Sequence, residues 1–89
     1  MTVRKHITKY LTVLQESPMN VFRTSDLQEL AYIGKNEYGK FLGSTETYTR
    51  EFRRMRTDGV LKVEKIYRKN RQQVWELHEI QTNFPNDVV

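Results

Sequence analysis

Apolar residues recur along this chain at two spacings, a helical one in its first two thirds and an alternating one after it. Val3, Ile7, Leu11 and Leu14 fall at i, i+4, i+8 and i+11, with Tyr10 beside them. This single stripe predicts a first helix over about residues 3–16. Ser17 ends it, because a residue that precedes a proline, here Pro18, is pushed out of the helical region. Residues 20–23 read as a short extended segment, with Val21 and Phe22 facing opposite sides. Ser25 is expected to open a second helix. Gln28 stands three residues on as the partner of a capping box, and Asp26 sits in the favourable first turn. Leu27, Leu30, Ala31 and Ile33 form its expected buried side. Gly34 and Gly39 bracket residues 35–38, and Gly43 follows Phe41 and Leu42. The stretch reads as the end of that helix and an irregular connector, with room for one more turn around residues 36–41.

Ser44 or Thr45 caps a third helix that runs to about Thr57, with Tyr48, Phe52 and Met55 as its stripe. At about 100° per residue, Phe52 and Met55 lie within about 40° of Tyr48, whereas Arg53, Glu46, Arg50 and Arg54 fall near 140°, 160°, 200° and 240°. One side is therefore buried, and three arginines and a glutamate occupy the other. Arg56, near 80°, sits at the stripe's edge and is expected to lay its stem over the core or pair with an acid. Asp58 and Gly59 form the stop, Gly59 being able to take a positive φ. From Val60 the period becomes two: Leu61 and Val63 alternate with Lys62 and Glu64, and Trp75 and Leu77 with Val74, Glu76 and His78. With residues 67–72 polar, basic and turn-forming at Asn70, this predicts a β-hairpin with a cationic tip. The expected domain spans residues 1–80, with residues 81–89 a flexible tail.

Composition narrows the class. The 89 residues contain no cysteine, which excludes a disulfide framework, thiolate metal sites and cysteine catalysis. No apolar run approaches the roughly 18–20 residues a bilayer requires, and no signal-peptide core follows the N-terminus. The expectation is a small intracellular domain in the cytoplasm, on the nucleoid if the source is a bacterium or phage.

Charge changes the picture further. Residues 44–71 hold nine basic side chains (Arg50, Arg53, Arg54, Arg56, Lys62, Lys65, Arg68, Lys69, Arg71) against four acids (Glu46, Glu51, Asp58, Glu64). The whole chain carries a formal +4, so that segment, at +5, holds more than all of it. Concentrated positive charge of this kind is the footprint of a surface that meets a polyanion. A solvated arginine-rich face is the plainer alternative.

The order helix, short strand, helix, helix, hairpin resembles the winged helix-turn-helix family of small prokaryotic and phage regulators. The specific likeness lies in residues 42–77: Leu42-Gly43-Ser44, Thr47-Tyr48-Thr49-Arg50, Phe52, Met55, Gly59, Val60-Leu61, a basic turn from Arg68 to Arg71, and Trp75-Glu76-Leu77. The chain departs from the pattern in a longer connector between Ala31 and Leu42, and in a tyrosine at the first buried position of helix three. The resemblance implies an α+β fold of three helices, a short strand after the first, and a C-terminal hairpin wing. It also implies double-stranded DNA as partner, and regulation of transcription.

The residues fit that partner on chemical grounds. A major groove about 12 Å wide admits a helix, and an arginine fork pairs with guanine O6 and N7. Arg50, Arg53 and Arg54 are the candidate base readers, with Glu46 able to accept from cytosine N4 or simply favour the helix dipole. Ser44, Thr45, Thr47 and Thr49 cluster at the helix start, where hydroxyls and N–H groups suit phosphate, or serve only as a cap. At the hairpin tip Arg68, Lys69 and Arg71 would lie over the backbone or in the adjacent minor groove, and Lys62 and Lys65 would reach flanking phosphates.

The alternative is a protein-interaction module that uses connector 34–43, with Tyr32, Tyr38 and Phe41 as anchors. RNA is a third partner to consider. A homodimer is open only if Val3, Ile7 and the tail are left uncovered. No catalytic group and no cofactor are expected. His6 and His78 each lack a second imidazole three to five residues away, so no metal site is expected either.

Overall fold

The structure, a computed structural model, describes residues 1–81, with Lys69 described by its backbone alone. Three helices, α1 (Val3–Gln15), α2 (Thr24–Tyr38) and α3 (Thr45–Thr57), combine with strands β1 (Val21–Arg23), β2 (Leu61–Lys69) and β3 (Gln72–Ile80). The sheet is antiparallel with β3 in the centre, β1 on one edge and β2 on the other. The architecture is α+β, as expected. Among the described residues no helix is long and apolar enough to cross a membrane.

Thr2 caps α1, its hydroxyl accepting the Lys5 N–H at 3.2 Å. Val3, Ile7 and Leu11 of the predicted stripe are buried and meet Leu27, Leu30 and Ala31 of α2 and Tyr48, Phe52 and Met55 of α3 in one core. Leu61, Leu77 and Ile80 close that core from the sheet. Phe52 stands edge-on to both Phe22 (5.8 Å between centroids) and Trp75 (5.3 Å), pairs that each contribute about 0.5–1.5 kcal/mol beyond area burial. Asn20 fastens β1 beside β3: its side-chain amide donates to the Leu77 carbonyl at 2.7 Å, and Leu77 N–H donates to the Asn20 carbonyl at 2.8 Å.

Several expectations need correction. The second helix begins at Thr24, not Ser25, and Arg23 is its N-cap. Asp26 supplies the capping carboxylate, accepting from the Arg23 N–H at 2.8 Å, so the Ser25–Gln28 box does not form. Ile33, expected inside, is 41% exposed, because it borders an open hollow between α1 and α2 with Tyr10 and Val13 instead of entering the core.

Gly34 does not break the helix. It is buried within α2, where an added Cβ would stand 3.2 Å from His6 Cε1 and 3.3 Å from Tyr48 Oη. The missing side chain lets α2 approach α1 and α3. The helix then runs on to Gly39, which caps it in the left-handed region at φ 71°. The connector therefore shrinks to residues 39–44.

The hairpin is longer than its sequence announced. Tyr67, Arg68 and Gln72 lie in strands, and only Asn70 (φ 51°) and Arg71 (φ 65°) turn, both left-handed as a two-residue primed turn requires. Val3 and Ile7 are covered by the core and leave no dimerisation stripe there. Of the tail, residues 82–89 lie outside the described residues.

Candidate nucleic-acid interface

Two features of the sequence aim α3. Ser44 caps it, its Oγ accepting the Thr47 N–H at 3.2 Å, and Tyr48, Phe52 and Met55 fix which side is buried. Glu46, Arg50, Arg53 and Arg54 are consequently exposed together on the other side, as the helical wheel required. Glu46 shares their face, whereas the other acids of this segment are engaged elsewhere. Glu51 receives Arg4 Nε of α1 at 2.5 Å, and Asp58 receives Arg4 Nη2 at 3.0 Å. Glu64 lies 3.0 Å from His78. Arg54 reaches only the second oxygen of Glu51, at 3.9 Å. Among the described residues, Arg50 and Arg53 make no ion pair. A single arginine from a different helix thus takes up two of the three acids that α3 and its cap offer, and only Glu46 is left beside the outward guanidinium groups.

The hydroxyl cluster is partly spent on the helix itself. Ser44 Oγ lies 3.0 Å from Thr47 Oγ1 as well as capping, and Thr49 Oγ1 donates to the Thr45 carbonyl at 3.1 Å. The N–H groups of Thr45 and Glu46, first in the helix, have no partner within it, which leaves an anion-favouring end.

Gln28 of α2 reaches across to Thr49, its amide 3.4 Å from the hydroxyl. With Glu46, Arg50 and Arg53 it lines an open hollow of about 300 Å³. Its sequence position signalled only a cap, so this contact could be found in the tertiary arrangement alone.

Trp75 joins the two basic elements. The Arg56 guanidinium lies 4.3 Å from its ring centroid and the Lys65 ammonium 5.6 Å, so α3 and β2 bring cations to one indole. Its Nε1–H donates to Thr24 Oγ1 at 3.0 Å and pins the ring. Arg56 also lies 5.7 Å from Phe52, so its stem covers the core as its wheel position foretold.

At the hairpin tip, Arg68 and Arg71 are exposed, and Arg68 Nη2 donates to the Arg71 carbonyl at 3.3 Å. Lys69 stands opposite Gln72 as the last residue of β2. Lys62 is not with them: it sits at the other end of β2, seven residues or roughly 23 Å along an extended strand. There its amine lies 3.4 Å from Glu79.

Behind α3, His6 is 3% exposed and its Nδ1 lies 2.6 Å from the Oη of fully buried Tyr48. Burial lowers the His6 pKa, with Lys9 acting in the same direction and Glu37 against it. Burial raises the Tyr48 pKa, helped by Tyr38. Both shifts favour neutral partners, joined by one hydrogen bond whose donor is set by the imidazole tautomer.

The anchors of the alternative reading divide. Tyr32 (64% exposed) and Phe41 (58%) flank Ser44 and Thr45, whereas Tyr38 packs edge-on against His6 at 5.3 Å and receives Lys9 on its hydroxyl. Comparison of the chain with protein-family models, with characterised proteins and with solved structures finds no match.

Proposed function

We propose that this protein binds double-stranded DNA, with α3 in the major groove and the β2–β3 hairpin alongside as a wing, in a winged helix-turn-helix layout. Transcriptional regulation is the role such binding would serve. The observation that carries the reading is the division of charge on α3. Glu51 and Asp58 are drawn to Arg4, while Arg50 and Arg53 stand outward with no ion pair among the described residues. Unpaired surface guanidinium groups on one helical face keep their donors open, and phosphates or guanine edges are the acceptors that fit them. The basic hairpin, tied to α3 through Trp75, supports the reading because it adds phosphate contacts beside the helix.

The test is binding to random-sequence duplex DNA across a salt series. Log K is expected to fall with log salt by several units, about 0.9 for each phosphate neutralised. Absence of binding at 50 mM salt, an experimental condition low enough to exaggerate charge effects, overturns the proposal. Arg68→Gln should weaken all sequences alike and lower the slope by about one. Competition with duplex RNA separates the two polyanions.

A second reading, a protein-interaction module, draws on the exposed pair Tyr32 and Phe41 beside the start of α3. It predicts that Tyr32→Ala with Phe41→Ala abolishes partner binding while leaving DNA affinity unchanged.

A further inference from the structure

The outer face of the sheet carries a cluster that the DNA reading does not use. Glu64 on β2 and Glu76 on β3 stand directly opposite each other in the ladder, an arrangement that like charges disfavour. Beside them is His78, whose Nε2 lies 3.0 Å from Glu64 Oε2 and 3.4 Å from Glu76 Oε1. The register explains how it arrives there. Lys62 faces Glu79 and Val63 faces Leu77, so His78 is the extra residue of a β-bulge with no partner across the ladder. Bulges re-aim side chains, and this one puts both His78 and Glu79 outward between the buried Leu77 and Ile80.

From this convergence of one imidazole and two carboxylates on rigid strands, we infer that Glu64, Glu76 and His78 form a binding site for a divalent transition-metal ion of the zinc type. The donor set of one nitrogen and two carboxylate oxygens suits zinc, and an open position remains for water. Bonds of about 2.0–2.2 Å to zinc place tetrahedral ligand atoms about 3.4 Å apart. Both imidazole–carboxylate separations already lie near that value, and all three ligand atoms lie within 4.8 Å of one another. The remaining carboxylate–carboxylate gap closes by rotation of the Glu64 side chain, which is 65% exposed. A single imidazole N–H can be shared by the two carboxylates only weakly, whereas a dication is a full partner for all three ligands. The nitrogen ligand argues against magnesium or calcium, which prefer oxygen alone.

The experiment is titration of zinc chloride into the untagged, chelator-treated full chain at neutral pH. It is followed by calorimetry and by the His78 ring resonances, with magnesium chloride in parallel. Saturable one-to-one zinc binding that shifts the His78 resonances and raises the melting temperature supports the site. Glu76→Gln relieves the Glu–Glu repulsion, so it should fold at least as well while binding zinc roughly tenfold or more weakly, and His78→Gln should do the same. No heat and no resonance shift at millimolar zinc overturns the inference. So does zinc binding that survives both variants, or magnesium binding of equal strength. DNA affinity is a separate readout, so the two proposals fail independently.

Discussion

The two faces of α3 use polar groups in opposite ways. On the inner face each is matched inside the molecule: Tyr48 to His6, Glu51 to Arg4, and Arg56 laid over Trp75. On the outer face Glu46, Arg50 and Arg53 have no charge partner among the described residues. A buried polar group without a partner costs about 1–3 kcal/mol, so the inner pairing is a condition of folding. An exposed one costs little, so the outer face can hold unmatched charge for something beyond the molecule. Matched and unmatched polar groups are thus separated across roughly the 10 Å width of one helix, and the proposed DNA contact falls on the unmatched side.

That separation can be broken from either side. Phe52→Ala should have the largest effect, since Phe52 is 3% exposed and links Phe22 to Trp75. A loss of about 3–5 kcal/mol is expected in urea unfolding, with DNA binding lost because the fold is lost. Next come Arg50→Ala and Arg53→Ala, each expected to weaken binding to a selected site by roughly 1–3 kcal/mol. Their unfolding curves should stay within about 0.5 kcal/mol of the parent, as exposed substitutions do. If either arginine variant instead unfolds the protein while leaving affinity intact, the division between the faces fails.

How much of this was legible beforehand follows the range of each interaction. The α1 and α3 stripes, the Ser44 cap and the positive φ of Gly59 are local rules, and the structure keeps all of them. Arg56 over the core was also readable, since its angle on the wheel depends only on spacing. Gly34 was not. A glycine amid polar residues reads as a breaker, and only the approach of His6 and Tyr48 from two other helices shows it to be a packing residue. Gln28 was misread for the same reason, its partner Thr49 lying on another helix.

The sequence offers a capping box at Ser25, yet Asp26 completes one two residues earlier on the Arg23 N–H; two local rules compete, and tertiary pairing of β1 fixes the helix start. The cluster at Glu64, Glu76 and His78 has no signature in local spacing, because sheet register, with its bulge, brings the three side chains together. What sequence conveyed best was the outward arginines. What it could not convey was that Arg4, far away in α1, takes up Glu51 and Asp58.

Smaller effects probe the inner face more finely. Tyr48→Phe keeps the ring and removes only the hydroxyl, leaving His6 Nδ1 buried without its partner, so about 1–3 kcal/mol should be lost while affinity of the folded protein for DNA holds. The gentlest probe is pH. Burial lowers the His6 pKa, so the unfolded chain takes up a proton near pH 6.5 that the folded one resists. Its contribution is therefore fully present above about pH 6.5 and declines as pH falls through that value toward the lower folded pKa. Urea midpoints measured from pH 7.5 down to 5.5 should decrease for the parent, and a His6→Gln variant should lose less over the same interval. Equal slopes for the two proteins would mean that His6 is protonated as readily inside as outside. The inner face of α3 would then tolerate charge just as its outer face does, and the contrast between them would vanish.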